Sequence, residues 1–210
     1  MNSRYQLPKD GGLIKDGAPK DIIHRYERMQ TRVFENEFSG VQYVADIICH
    51  MIKNHSENAS ARDIYEELPP FVLGLYRELV RRYQAGEVSF KNVAVYSLDE
   101  FYPIRRTDQQ SRNFRIYDDF LTHIDIAPEN VHMLDGTISE REVSEYCAEY
   151  EKSIRKIDLM IIGFGEQGQI GFNEQGSYAK SHTRLVELSH NSRKTQSSQF
   201  FGLENTPKMG

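Results

Sequence analysis

The chain has 210 residues, 39% of them hydrophobic and 27% charged, and a net charge of −5. That length suits one α/β domain with a full core and is short for two. The acidic balance argues against a nucleic-acid or anionic-lipid surface, and no apolar run is long enough to span a bilayer.

The start, Met1-Asn2-Ser3-Arg4-Tyr5-Gln6, lacks the apolar core of a secretion signal. Cys49 and Cys147 are the only cysteines and give neither a metal spacing nor a disulfide framework, so the expected setting is a reducing cytoplasm. The seven histidines are scattered, with no H-E-x-x-H and no C-x-x-C, and no metal is expected.

Residues 1–30 read as a loose leader, with a short helix over Asp21–Met29, and residues 31–210 as a single domain. Thr31–Glu35 predicts a first short strand. Ser39-Gly40-Val41-Gln42 has capping-box spacing, and Val41, Val44, Ala45, Ile48 and Ile52 recur at helical period, predicting a helix to about Asn54. His55–Pro70 is polar and reads as a linker. Phe71–Leu75 (FVLGL) predicts a buried strand, and Tyr76, Leu79, Val80 and Tyr83 an amphipathic helix ending near Gly86. No loop separates the two, although such connections need about 2–6 residues.

Val93–Leu98 predicts a strand ending at Asp99-Glu100, followed by an arginine-rich segment to Arg115 and a short helix through His123. Asn130–Leu134 predicts another strand. Ser139–Glu142 repeats the capping-box pattern ahead of Val143, Tyr146, Cys147, Tyr150 and Ile154 on one helical face. Ile157–Ile162 then runs into Gly163, Gly165 and Gly168, the pattern of a buried parallel strand whose carboxyl end lets backbone approach a ligand. Thr183–Leu188 reads as a strand and Asn191–Phe201 as a helix. Strands alternating with helices predict a parallel sheet with helices on both faces.

Open sheets of this kind hold ligands just past their strand ends, which selects Asp99 with Glu100, and Glu174 after the glycine turn. A carboxylate in a partly dry crevice moves protons between neighbouring carbons; the competing reading is that Asp99 or Glu100 caps a helix or loop. Arg105, Arg106, Arg112 and Arg115 either clamp a phosphate or are simply solvated. Gly163-x-Gly165-x-x-Gly168, with Glu187 beyond it, also matches a dinucleotide fingerprint. That fingerprint needs a helix at its third glycine, where Asn173-Glu174-Gln175-Gly176-Ser177 predicts a turn.

Several motifs stand in one order: Ser97-Leu98-Asp99-Glu100-Phe101-Tyr102-Pro103, His132-Met133-Leu134-Asp135-Gly136, Ile157-Asp158-Leu159 with Gly163-Phe164-Gly165, and Gly171-Phe172-Asn173-Glu174. With Thr183-Arg184-Leu185-Val186 and Ser198-Gln199-Phe200-Phe201, they resemble glucosamine-6-phosphate deaminase, a family related to the 6-phosphogluconolactonases. The resemblance covers roughly residues 31–209. It implies a three-layer α/β/α sandwich with a mostly parallel, Rossmann-like sheet, a sugar-phosphate substrate, no metal or redox cofactor, and homo-oligomers. It implies conversion of glucosamine 6-phosphate to fructose 6-phosphate and ammonia. The aspartate matching Asp99 shuttles the proton at C2 and C1. A histidine in the glycine turn, helped by an acid there and by the glutamate matching Glu174, opens the ring. Glu100, Gly163, Gly165, Gly168 and Asn173 fall at positions that line the substrate.

The departures from the family fall on its site. The acid and histidine positions are Gln167 and Gln169, and the phosphate-binding arginine is Gln199. A glutamine hydrogen-bonds a ring oxygen but does not take up and return a proton near neutral pH. The family's Gly/Thr/Ser-rich phosphate loop, expected between Leu75 and Tyr76, is missing, and the sequence ends at Gly210 ahead of the family's later strands and lysine. The expected protein is a degenerate, shortened deaminase-like chain, with a non-catalytic sugar-phosphate-binding or assembly role as the alternative.

Overall fold

In the computed structural model, the described residues are 31–54, 59–63, 70–165 and 167–210, the backbone alone being described for 59–63 and 70. The elements run α1 (Glu37–Asn54), β1 (Ala59–Asp63), α2 (Pro70–Gln84), β2 (Val93–Ser97), α3 (Arg112–Asp119), β3 (Val131–His132), α4 (Val143–Ser153), β4 (Leu159–Met160) and α5 (His190–Gln196). Short 3-10 turns follow α3, precede β3 and follow α5. The leader helix predicted over 21–29 lies outside the described residues.

The four strands form one sheet in the order β3-β2-β1-β4, every pairing parallel. All five residues of β2 are buried, as a strand covered on both faces requires. Val93 and Val95 join a core with Ala45, Ile48 and Cys49 of α1, Val72, Leu75, Tyr76 and Leu79 of α2, and Ile116 of α3. On the other face Tyr96 stacks on His132, and its hydroxyl donates to the Ser153 carbonyl at the end of α4. The fold is the α/β/α sandwich.

Three predicted elements change identity. Phe71–Leu75 is the first part of α2 rather than a strand. Val72, Leu75, Tyr76 and Leu79 are buried at i, i+3, i+4 and i+7, one continuous helical stripe, so the 75–76 junction is helix interior and needs no loop. The strand feeding α2 is Ala59–Asp63, inside the segment read as a linker, and its five residues pair in register with Val93–Ser97. The connection into α2 therefore passes through residues 64–69, Ile-Tyr-Glu-Glu-Leu-Pro, a sequence without glycine, serine or threonine and with two carboxylates. Thr31–Glu35 is not a strand; Phe34 packs its ring against Tyr43 of α1.

Other elements are shorter than predicted. The cap of α1 is Asn36, whose Oδ1 accepts the Ser39 N–H at 2.9 Å, so the helix opens ahead of Ser39. β3 stops at His132 because the next backbone donors are met by side chains: Leu134 N–H donates to Ser97 Oγ and Asp135 N–H to the Tyr146 hydroxyl. β4 keeps two residues, and Met160, Ile162 and Phe164 are exposed where a buried run was predicted. Among the described residues β4 is an edge strand, which explains that exposure. Residues 183–188 join no parallel sheet. Instead Val186 exchanges backbone hydrogen bonds with Gly210, and the Leu188 N–H donates to the Lys208 carbonyl.

Candidate functional site

Asp99 and Glu100 leave the carboxyl end of β2 side by side and are both buried, yet they face different neighbours. Glu100 turns to the start of α3. Its Oε1 accepts the N–H groups of Phe101 (2.8 Å) and Arg112 (3.0 Å), and its Oε2 accepts Ser111 Oγ–H (2.7 Å) and the Asn113 N–H (3.0 Å). A helix start offers unpaired N–H groups and a partial positive charge, and Glu100 meets both. Burial pushes its carboxyl up, against the four donors that favour the charged form.

Asp99 faces Arg112, whose Nε lies 3.4 Å from Asp99 Oδ1. The guanidinium of Arg112 is held over two rings, its Cζ 5.0 Å from the centre of Phe101 and 5.5 Å from that of Phe172. These rings and Phe200, packed on Phe101 at 4.8 Å, form a second core with Ile104 and Leu188. Gly171 closes the arrangement from below. It holds φ +55°, and a Cβ there would stand 2.6 Å from Leu98 Cδ2 and 2.8 Å from Asp99 Oδ2, so glycine answers both the backbone angle and the space.

Beside Asp99 opens a cavity of about 180 Å³. Of the predicted site residues, Asp99, Glu100 and Asn173 line it. Its other polar walls come from Asp135, Tyr146, Glu151, His182, Thr183 and Arg184. Glu151 accepts the Thr183 N–H at 2.9 Å and the Thr183 hydroxyl, bonds that hold its carboxyl below the usual range. Arg184 donates to Ser177 Oγ (2.7 Å) and, more weakly, to Asn173 Oδ1 (3.4 Å). This wall was not among the predicted residues. Its one sequence signal is the polar run Ser181-His182-Thr183-Arg184, since its other members, Asp135, Tyr146 and Glu151, stand singly and far ahead of that run.

The remaining predicted residues do not line that cavity. Gln169 folds back on its own turn: its Oε1 accepts the Gln167 N–H at 3.0 Å and its carbonyl accepts the Gly165 N–H at 2.9 Å. Gln167 is exposed, as are Gly163 and Gly168. Glu174 accepts the N–H of Ser189, the cap of α5, through both oxygens (3.1 and 3.2 Å). Gln199 donates to Gln196 Oε1 at 3.0 Å. No helix opens at Gly168, where Ile170 and Asn173 bridge instead, so the geometry of the dinucleotide fingerprint is not met. Among the described residues no cluster of His, Cys, Asp and Glu is arranged to hold a metal ion, and no helix is long and apolar enough to cross a membrane.

Residues 71–199 match the profile of the family described as Glucosamine-6-phosphate isomerases/6-phosphogluconolactonase. A glucosamine-6-phosphate isomerase of Candida albicans is 37% identical over 179 residues, covering 83% of this chain and 69% of that protein. A glucosamine-6-phosphate deaminase of Caenorhabditis elegans is 33% identical over 177 residues, with 83% and 65% covered. A Bacteroides thetaiotaomicron protein named glucosamine-6-phosphate deaminase-like is 34% identical and matches 99% of this chain, which spans 31% of that protein. Among solved structures, a monomeric glucosamine-6-phosphate deaminase superposes with a TM-score of 0.79 at 28% identity, covering 86% of this chain and 74% of that one. The 6-phosphogluconolactonase of Thermotoga maritima superposes with a TM-score of 0.62 at 17% identity and shares the fold.

Proposed function

The chain belongs to the glucosamine-6-phosphate isomerase/6-phosphogluconolactonase family, and from that membership we propose that it is a deaminase-like protein of amino-sugar phosphate metabolism that binds the sugar phosphate but has lost the deaminase step. In the reaction of the lineage, glucosamine 6-phosphate and water give fructose 6-phosphate and ammonia. Asp99 is the group of this chain that would carry the proton between C2 and C1. Its place at the end of β2, against a polar cavity, suits a carboxylate that meets a substrate.

The observation that carries the loss is the state of the glycine turn. Ring opening needs a group there that gives and regains a proton, and the two positions hold amides, one of them tied into its own turn. The anion side is poor as well. Gln199 stands where the resemblance expects an arginine, and the sequence between β1 and α2, residues 64–69, holds no glycine, serine or threonine. A single acid–base group contributes about 10²–10⁴-fold, and weakened anchoring compounds its loss.

Retention of Asp99 and Glu174 favours a second reading, a slow but working deaminase. Isothermal titration with glucosamine 6-phosphate, followed by an ammonia-release assay on the same folded sample, separates the two. Binding without ammonia is expected. Ammonia release above the protein-free background, however slow, establishes the second reading, and no binding at all overturns both.

A further inference from the structure

We propose that Arg112 is the positioning residue for Asp99: its guanidinium, wedged between two aromatic rings, supplies a fixed positive charge that sets the orientation of the neighbouring carboxylate. The reactive role of Asp99 rests on the function proposed above; the ion pair itself does not.

Three observations converge on this assignment. Arg112 is 4% exposed, and a buried guanidinium requires a counter-charge; Asp99 Oδ1 at 3.4 Å supplies it. The contact is an ion pair without hydrogen-bond geometry, since Arg112 Nε has no hydrogen-bond partner among the described residues. The charge is also held in place from its far side. The Arg112 backbone N–H donates to Glu100, so the carboxylate that anchors α3 also fixes where the arginine begins, and Phe101 and Phe172 fix where it ends. An arginine stacked on two rings is held in one orientation.

The adjacent carboxylates therefore divide the work. Glu100 accepts four hydrogen bonds and is committed to the helix, whereas Asp99 faces the fixed charge of Arg112 and the cavity. Among the described residues, the other titratable and charged groups on this side are Glu100 toward α3, and Asp135, Glu151, His182 and Arg184 along the cavity.

The test follows the side-chain carboxyl carbon of Asp99 by NMR titration of the ¹³C-aspartate-labelled chain, its signal identified by loss in Asp99→Asn. Arg112→Met should raise the Asp99 midpoint by about one pH unit or more, the scale of an adjacent arginine, and Arg112→Lys should keep most of the wild-type value. A midpoint that Arg112→Met leaves within about 0.3 of wild type, or that Arg112→Lys moves as far as Met does, overturns the proposal. Near-UV circular dichroism checks each fold, and Arg112→Gln replaces the methionine variant if that one unfolds. Failure of glucosamine 6-phosphate to bind the wild type would instead sink the proposed function and leave the ion pair standing.

Discussion

Gly171 and Asp99 stand too close for a side chain between them, with 2.8 Å between Asp99 Oδ2 and the place a Cβ of residue 171 would take. Gly171→Ala must therefore displace Asp99 and adopt a left-handed φ. A cost of about 1–3 kcal/mol is expected, read as a lower thermal midpoint together with weaker sugar-phosphate binding. A variant as stable as wild type would show that the turn relaxes freely.

Glu100→Gln replaces an acceptor of four hydrogen bonds with a side chain that presents an NH₂ group to N–H donors. Loss of about 2–4 kcal/mol is expected, since a buried charged acceptor is removed and donors are left facing one another. Denaturant unfolding measures it. The same variant should disturb Asp99 indirectly, because the start of α3 carries Arg112.

The α1–α2 contact predicts an acid-dependent stability. Glu78 Oε1 accepts Arg82 Nε–H at 2.6 Å, while Arg82 Nη1 lies 2.7 Å from Asp46 of α1. Hydrogen bonds from Arg81 first, then from Arg82, hold the Glu78 carboxyl down at about 2, against an ordinary value of 4.5. A depressed carboxylate adds stability that is complete above the unfolded value and is lost as pH falls toward the folded one. Glu78→Gln should thus cost about 1–2 kcal/mol at pH 7, a figure reduced because Arg81 is half exposed, and the difference should close between pH 4.5 and 2. A gap constant with pH would place the contribution in packing.

Putting Asp at 167 and His at 169 returns a proton carrier to the glycine turn. Ammonia release should rise by about 10²–10⁴-fold over the native chain, with Gln199→Arg tightening binding in a salt-sensitive way. A triple variant that binds glucosamine 6-phosphate without any gain in release would show that the amides are not what stopped the reaction.

At the β4 edge, Met160, Ile162 and Phe164 leave apolar surface beside a strand that pairs on one side only among the described residues. Concentration-dependent association is expected by light scattering, and Ile162→Lys should reduce it. A monodisperse monomer at all concentrations would contradict this.

How far the sequence could be read follows from these same residues. β2 and the helical period of α1 were visible because each carries a dense, regular apolar pattern. Phe71–Leu75 of α2 is apolar at nearly every position and mimics a strand, although its buried residues keep the helical step. β1 was invisible: Ala-Ser-Ala-Arg-Asp has neither β-branched nor aromatic residues, and its parallel partners on both sides make it a strand. Within the site, two adjacent carboxylates are indistinguishable as letters. Only the fold sends Glu100 to a helix start and Asp99 to a cavity.

The backbone pairing of Val186 with Gly210 has a practical side. Gly210 lines the cavity, and a Cβ on it would stand 2.3 Å from the Phe172 ring. Anything joined to that residue, whether further polypeptide or an affinity handle, starts at the wall of the cavity beside Asp99. A histidine tag placed there would begin at the cavity wall, so purification sequences belong elsewhere on the protein.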